Sequence, residues 1–78
     1  MMDINPDIEL DLSGLACPMP LLKAKLALNN MKSQQILKVV ATDPGSEKDF
    51  YLFVEQSHNQ ILDFQKDDSV YFYWIKKG

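Results

Sequence analysis

The residue with the clearest chemical potential is Cys17, the only cysteine in the chain, which opens the segment Cys-Pro-Met-Pro at residues 17–20. One cysteine cannot form an internal disulfide or a Cys-x-x-Cys redox pair, so its chemistry is that of a free thiol. Proline is tolerated in the first turn of a helix, which predicts that Cys17 lies at a helix start. Free N–H groups and the helix dipole stabilise a thiolate there, so the sequence predicts a lowered pKa for Cys17.

The neighbours of Cys17 define what could stabilise that thiolate. Pro18 and Pro20 remove two N–H groups from the first turn, so the N–H groups of Met19 and Leu21 are the expected donors. Positive potential could come from three nearby lysines, Lys23, Lys25 and Lys48. The alternative is that Cys17 is a small buried apolar residue without reactivity. The residues alone leave both readings open.

Two further polar residues, His58 and Asp43, are candidate partners of the thiol. His58, the only histidine, precedes the third predicted strand, and we expect it to be solvated rather than catalytic. With one histidine and one cysteine, we expect neither a metal site nor a cofactor. Asp43 begins the turn Asp43-Pro44-Gly45. Its carboxylate could accept hydrogen bonds from first-turn N–H groups or orient a partner's lysine, or it could serve only to start the turn.

The periodicity of apolar residues predicts six elements in the order βαβαββ. They are a strand over Ile8–Leu12, a helix over about 18–31, a strand over 35–42, a helix from Ser46, and strands over 60–66 and 70–76. Ser46 is expected to cap the second helix, with Asp49 three residues later as in a capping box. A strand–helix–strand unit pairs its strands in parallel through a right-handed crossover. The sequence therefore predicts an α/β two-layer sandwich, with a mixed four-stranded sheet and both helices on one face.

This topology places the candidate residues relative to one another. The carboxyl ends of the first two strands share one edge of the sheet, so Cys17 should lie close to Asp43–Asp49. The same topology sends His58 to the opposite edge. On the last strand, Phe72 and Trp74 should face the side that the helices leave uncovered, where they could mediate self-association or simply be exposed. Leucines off the apolar stripe of the first helix, Leu22 and Leu26, could cover the sheet edge or meet a partner near Cys17.

Length and composition restrict the class of protein. The 78 residues are 46% hydrophobic and 24% charged, which predicts one globular domain over residues 1–78, with residues 1–7 as a loose extension. The sequence has neither a signal-peptide pattern nor an apolar run long enough to span a membrane, so we expect a cytoplasmic protein. The net charge is −3 and all eight basic residues are lysine, which argues against direct binding of nucleic acid.

Three segments of the chain resemble one known family. The segment Leu10–Lys25, Leu-Asp-Leu-Ser-Gly-Leu-Ala-Cys-Pro-Met-Pro-Leu-Leu-Lys-Ala-Lys, is similar to the signature of the TusA/SirA-like sulfur-carrier family. Ala41–Gly45 followed by Lys48-Asp49-Phe50 resembles its second shared stretch, and Tyr71–Lys77 resembles its last strand. The resemblance runs from about Ile8 to Lys77, nearly the whole chain.

The resemblance implies a βαβαββ fold and a sulfurtransferase activity in which Cys17 carries sulfur as a persulfide. A cysteine desulfurase or a rhodanese-type protein would donate the sulfur, and a downstream protein would accept it. Asp43, Lys25 and Lys48 match positions associated with the partner surface or the active edge, and Pro18 and Pro20 belong to the Cys-Pro-x-Pro motif. The rival interpretation is a non-catalytic regulatory or protein-binding module on the same fold.

The chain differs from the tRNA-thiolation carrier of that family at three of these positions. Met19 stands between the prolines where that carrier has glutamate, and lysine stands in place of arginine at Lys25 and Lys48. These differences weaken the case for the tRNA-thiolation role in particular. The sequence leaves three pathways open: tRNA modification, cofactor synthesis and sulfur oxidation.

Overall fold

The computed structural model describes residues 5–78 and contains six elements. They are β1 (Ile8–Leu12), α1 (Met19–Asn29), β2 (Ile36–Ala41), α2 (Ser46–Glu55), β3 (Gln60–Asp67) and β4 (Val70–Lys76). The predicted βαβαββ order is confirmed, and each predicted boundary lies within two residues of the observed one. Within residues 5–78, no helix combines the length and the hydropathy needed to cross a membrane.

The four strands form one mixed sheet in the order β1-β2-β4-β3. The first pair, β1 and β2, is parallel, whereas β4 is antiparallel to both of its neighbours. Asp7 adds one residue to the first pair, because its N–H donates to the carbonyl of Ile36 and its carboxylate accepts from the N–H of Ile36, both at 2.8 Å. The rest of the predicted N-terminal extension includes residues 1–4, which lie outside the described residues.

The core lies between the helix-facing side of the sheet and the two helices. Side chains of β2 and β4 alternate between the two faces, and the inward set is fully or almost fully buried: Leu37, Val39, Ala41, Tyr71, Tyr73 and Ile75. From the helices, Ala24, Leu28 and Phe50 complete this core. The ring of Phe50 stacks on that of Tyr73 with a centroid distance of 4.5 Å, which ties α2 directly to the central strand β4.

The predicted role of Ser46 as a helix cap is wrong. Gly45 occupies the N-cap position of α2, where no side chain makes a capping hydrogen bond. Ser46 is buried instead, and its hydroxyl shares a 2.7 Å hydrogen bond with the hydroxyl of Tyr73. A buried phenol requires a polar partner, and Ser46 in the first turn of α2 is the partner of Tyr73.

Phe72 and Trp74 lie on the uncovered face of the sheet, as predicted. Both are partly exposed, and their ring centroids are 6.4 Å apart. The ammonium group of Lys38 lies 5.7 Å from the ring centroid of Phe72 and 5.5 Å from that of Trp74, within the range of a cation–π contact. This lysine covers part of the aromatic surface. Self-association through these two residues stays a prediction.

Candidate functional site

The loop that carries Cys17, which we call the thiol loop (residues 13–18), connects β1 to α1 and is attached to the end of β2. The N–H of Gly14 donates to the hydroxyl of Thr42 at 2.8 Å, directly after β2. Gly14 has a φ of +83°, a left-handed conformation that side chains disfavour, so glycine permits this turn. The hydrogen bond brings the thiol loop to the edge where β1 and β2 both end, as the parallel topology predicts.

Cys17 is exposed and lies immediately before Pro18, the N-cap residue of α1. The peptide bond between these two residues is cis. The prediction that Met19 donates its N–H to the sulfur is wrong, because this N–H donates to the carbonyl of Ala16 at 2.9 Å. The first helical N–H is therefore used within the thiol loop and does not stabilise the thiolate.

The hydrogen bond of Cys17 is made instead to the second helix. Its sulfur donates to Oδ2 of Asp49 in the first turn of α2, with 3.1 Å between Sγ and the oxygen. The predicted proximity of Cys17 to the segment Asp43–Asp49 is thus confirmed. The sequence predicts Asp49 only as a capping residue of α2. Its contact with Cys17 becomes visible only when α2 packs beside the thiol loop.

The carboxylate of Asp49 reverses the predicted electrostatics of the thiol. The hydrogen bond to Asp49 is the main cause that raises the pKa of Cys17 above its ordinary value, and partial desolvation and the charges of Asp49 and Asp43 act in the same direction. The prediction of a lowered pKa is therefore wrong. A carboxylate in direct contact favours the protonated thiol more strongly than the partial charge of a helix end favours the thiolate.

Asp43 lies in the turn between β2 and α2, and one oxygen of its carboxylate lacks a hydrogen-bond partner within residues 5–78. Its Oδ2 is buried and has no hydrogen-bond partner among the described residues. Its backbone carbonyl accepts the N–H of Ser46 at 3.0 Å and so closes the turn into α2. Of the roles left open for this carboxylate, hydrogen bonds from first-turn N–H groups are not made to Oδ2 within the described part of the chain. Asp43 thus contributes a turn and a second negative charge beside Cys17.

The lysines do not supply the predicted positive potential. The ammonium group of Lys25 lies 5.2 Å from the ring centroid of Phe53 on α2, and Lys23 and Lys48 are exposed. None of these lysines is among the groups that shift the pKa of Cys17. His58 follows α2 at the opposite edge of the sheet, as predicted.

A groove between the two helices extends from Asp49 along α1 and α2. This α1–α2 groove has a volume of about 200 Å³ and is lined by Leu21, Lys25, Asp49, Leu52, Phe53 and Gln56. Four large apolar side chains on α1 and α2 are at least 41% exposed, and one of them, Leu52, lines the groove: Met19, Leu22, Leu26 and Leu52. Leu22 and Leu26 therefore lie outside the core, as predicted.

Sequence reasoning missed how the second proline of the motif packs. Pro20 is fully buried, so the second proline of the motif packs α1 against the domain as well as starting the helix. Within residues 5–78, no group of three potential metal ligands is close enough together to hold an ion. The site accordingly consists of an exposed thiol, two carboxylates and an adjacent groove lined by both apolar and polar side chains.

The fold and the site define a small two-layer α/β domain with one exposed thiol at the start of its first helix. The family described as sulfurtransferase TusA matches residues 8–77, and the chain belongs to this family. The chain is 49% identical over 72 residues to the sulfur carrier protein TusA of Allochromatium vinosum, with 92% of this chain and 95% of that protein covered. It is 39% identical over 75 residues to the putative sulfur carrier protein YrkI of Bacillus subtilis, covering 96% and 100% of the two chains.

A solved structure confirms the fold. The SirA-like protein of Desulfitobacterium hafniense superimposes with a TM-score of 0.77 at 26% sequence identity, over 91% of this chain and 97% of that one. The resemblance inferred from the three sequence segments is therefore confirmed at the level of family and fold.

Proposed function

We propose that this protein is a sulfur carrier that accepts sulfur on Cys17 as a persulfide and hands it to another protein. The donor is a cysteine desulfurase or a rhodanese-type protein, and the acceptor is a downstream protein with a reactive thiol. The observation that supports this most directly is the exposure of a single thiol at the edge of a domain of the TusA family. A free thiol of this kind is stable in the cytoplasm, where we place the protein.

The transfer proceeds by thiol–disulfide exchange chemistry. The Cys17 thiol loses its proton, and its sulfur attacks the outer sulfur of the donor persulfide. The donor's S–S bond breaks, and the inner sulfur of the donor leaves with the electron pair and becomes a thiol. An acceptor thiolate then attacks the outer sulfur on Cys17 and regenerates the Cys17 thiol. One S–S bond forms as another breaks in each step, so the transfer needs no external oxidant.

The surroundings of Cys17 suit transfer between proteins. The chain has no second cysteine that could attack a persulfide on Cys17 and release its sulfur internally. The α1–α2 groove includes Asp49, which contacts the thiol, and the exposed leucines of α1 and α2 offer apolar contact area for a docking partner. The remaining residues assigned to the partner surface, Lys25, Asp43 and Lys48, lie on the same helices and edge, while Pro18 and Pro20 shape the helix start.

Loading with sulfur tests the proposal directly. After incubation with a cysteine desulfurase and cysteine, intact-mass spectrometry should show one added sulfur on the wild-type protein and none on Cys17→Ser. His58→Ala is the control, because it removes the only imidazole of the chain and should load like the wild type. A wild-type protein that gains no sulfur from either donor class, while a known carrier does in parallel, would overturn the proposal. Binding of a donor without loading would favour the regulatory module instead.

The α1–α2 groove leads to a second prediction. Leu22 is 46% exposed, so Leu22→Asp should leave the fold intact while it places a charge on the proposed docking surface. We expect the rate of sulfur loading at subsaturating donor to fall by about tenfold, as for loss of an interface contact of moderate strength. Intact-mass spectrometry of samples quenched at successive times measures this rate.

A matched control separates docking from a general effect of charge. Tyr51 is similarly exposed on α2 but packs against Phe64 of β3, on the side away from the groove. Tyr51→Asp adds the same charge and should load within about twofold of the wild-type rate. Equal slowing in the two variants would show that the groove has no particular role in docking.

A further inference from the structure

Among the described residues, the carboxylate of Asp49 makes a hydrogen bond only with Cys17. Its only side-chain hydrogen bond among the described residues is the one that the thiol donates at 3.1 Å, and it forms no ion pair there. Lys25 lines the same α1–α2 groove, yet its ammonium group lies over the ring of Phe53 rather than on the carboxylate. Asp49 is therefore a negative charge whose single structural partner is the reactive sulfur.

The groups that face Cys17 come from three parts of the fold. The thiol loop itself contributes no charged residue, α2 contributes Asp49, and the turn after β2 contributes Asp43. Both charges are negative, and no cation of α1 is placed to offset them. A thiol in this setting keeps its proton, since ionisation would put a third negative charge beside two carboxylates.

We propose that Asp49 is a positioning residue that holds the Cys17 sulfur against α2 as a protonated thiol while the carrier is free. This inference rests on the proposed function and adds to it that Asp49 protects the sulfur of the free carrier from side reactions. The exposed sulfur, if ionised, would attack electrophilic small molecules and so be alkylated or oxidised, since the thiolate is the nucleophilic form. A partner that docks on the α1–α2 groove reaches Asp49, because this residue lines the groove as well as contacting the thiol. Displacing or neutralising the carboxylate there would release the sulfur for transfer.

The test is the pH dependence of alkylation of the free protein by iodoacetamide. Asp49→Asn removes the charge, so it should react about two- to fivefold faster than the wild type at pH 7, the range expected for an exposed charge interaction. The midpoint of its rate-against-pH curve should move to lower pH. Asp49→Glu restores the carboxylate and should move the rate back towards the wild-type value. If Asp49 served folding alone, the midpoint of the rate-against-pH curve would be the same in the wild type, Asp49→Asn and Asp49→Glu.

Glu47→Gln is the matched control, because Glu47 is the other acidic residue of the first turn of α2 and makes no contact with Cys17. It should leave the rate and the midpoint unchanged. Asp49→Ser repeats the test if Asp49→Asn is unstable to heating. An unshifted midpoint in the folded Asp49 variants, or an equal shift in Glu47→Gln, overturns the inference. Neither outcome affects the proposed function, which fails only if the wild-type protein does not load with sulfur.

Discussion

Replacing Phe50 by alanine is expected to lower the free energy of unfolding by about 3 to 5 kcal/mol. Phe50 is fully buried, and its ring stacks on Tyr73 at the centre of the core. The substitution removes most of an aromatic side chain and leaves a cavity between α2 and β4 that the surrounding rings cannot fill. A domain of this length has a total stability of about 4 to 12 kcal/mol, so the variant should be close to its folding limit.

Urea denaturation followed by tryptophan fluorescence measures this change. The control is Leu52→Ala, two positions along the same helix at a side chain that is 49% exposed, which should change the stability by less than about 1 kcal/mol. Phe50→Leu keeps most of the volume and is expected to lie between these two, so it provides a value if Phe50→Ala does not fold. Similar losses in Phe50→Leu and Leu52→Ala would contradict the assignment of Phe50 to the centre of the core.

The protein should also lose about 2 to 3 kcal/mol of stability between pH 10 and pH 12 because of Tyr73. Burial raises the pKa of Tyr73 to about 12 from an ordinary value of 10.0, and the hydrogen bond to Ser46 only partly opposes this. Above pH 10 the unfolded chain ionises this phenol whereas the folded chain does not, so the equilibrium shifts towards unfolding. The contribution is complete below pH 10 and is lost as the pH approaches the folded-state pKa.

Denaturation curves measured at intervals from pH 9 to pH 12 test this expectation, with Tyr73→Phe as the comparison. The variant lacks the phenol, so the part of the alkaline loss that belongs to Tyr73 should be absent, although removing the hydroxyl leaves Ser46 without its partner and lowers the stability at every pH. Parallel curves for the two proteins over this range would show that Tyr73 is not the group responsible.

The amino-acid sequence by itself determined the order of elements and the side of the sheet that each residue faces. The strict alternation in β2 and β4 assigned Tyr73 to the core and Trp74 to the open face, because the side-chain period of a strand is two residues. The parallel pairing of β1 and β2 placed the thiol loop and the start of α2 at one edge, because both follow the carboxyl end of a strand. These features follow from the local geometry and chirality of the chain, so they can be predicted from the order of residues.

The tertiary structure alone decided which polar groups meet. Asp49 and Ser46 both belong to the predicted cap of α2, and neither acts as one, since Asp49 accepts the Cys17 thiol and Ser46 bonds Tyr73. Whether a helix start favours a thiolate depends on the groups within a few ångströms of the sulfur, because electrostatic interactions weaken quickly with distance in a solvated site. Those groups come from α2 and from the turn before it, and the packing of these segments against the thiol loop brings them to Cys17.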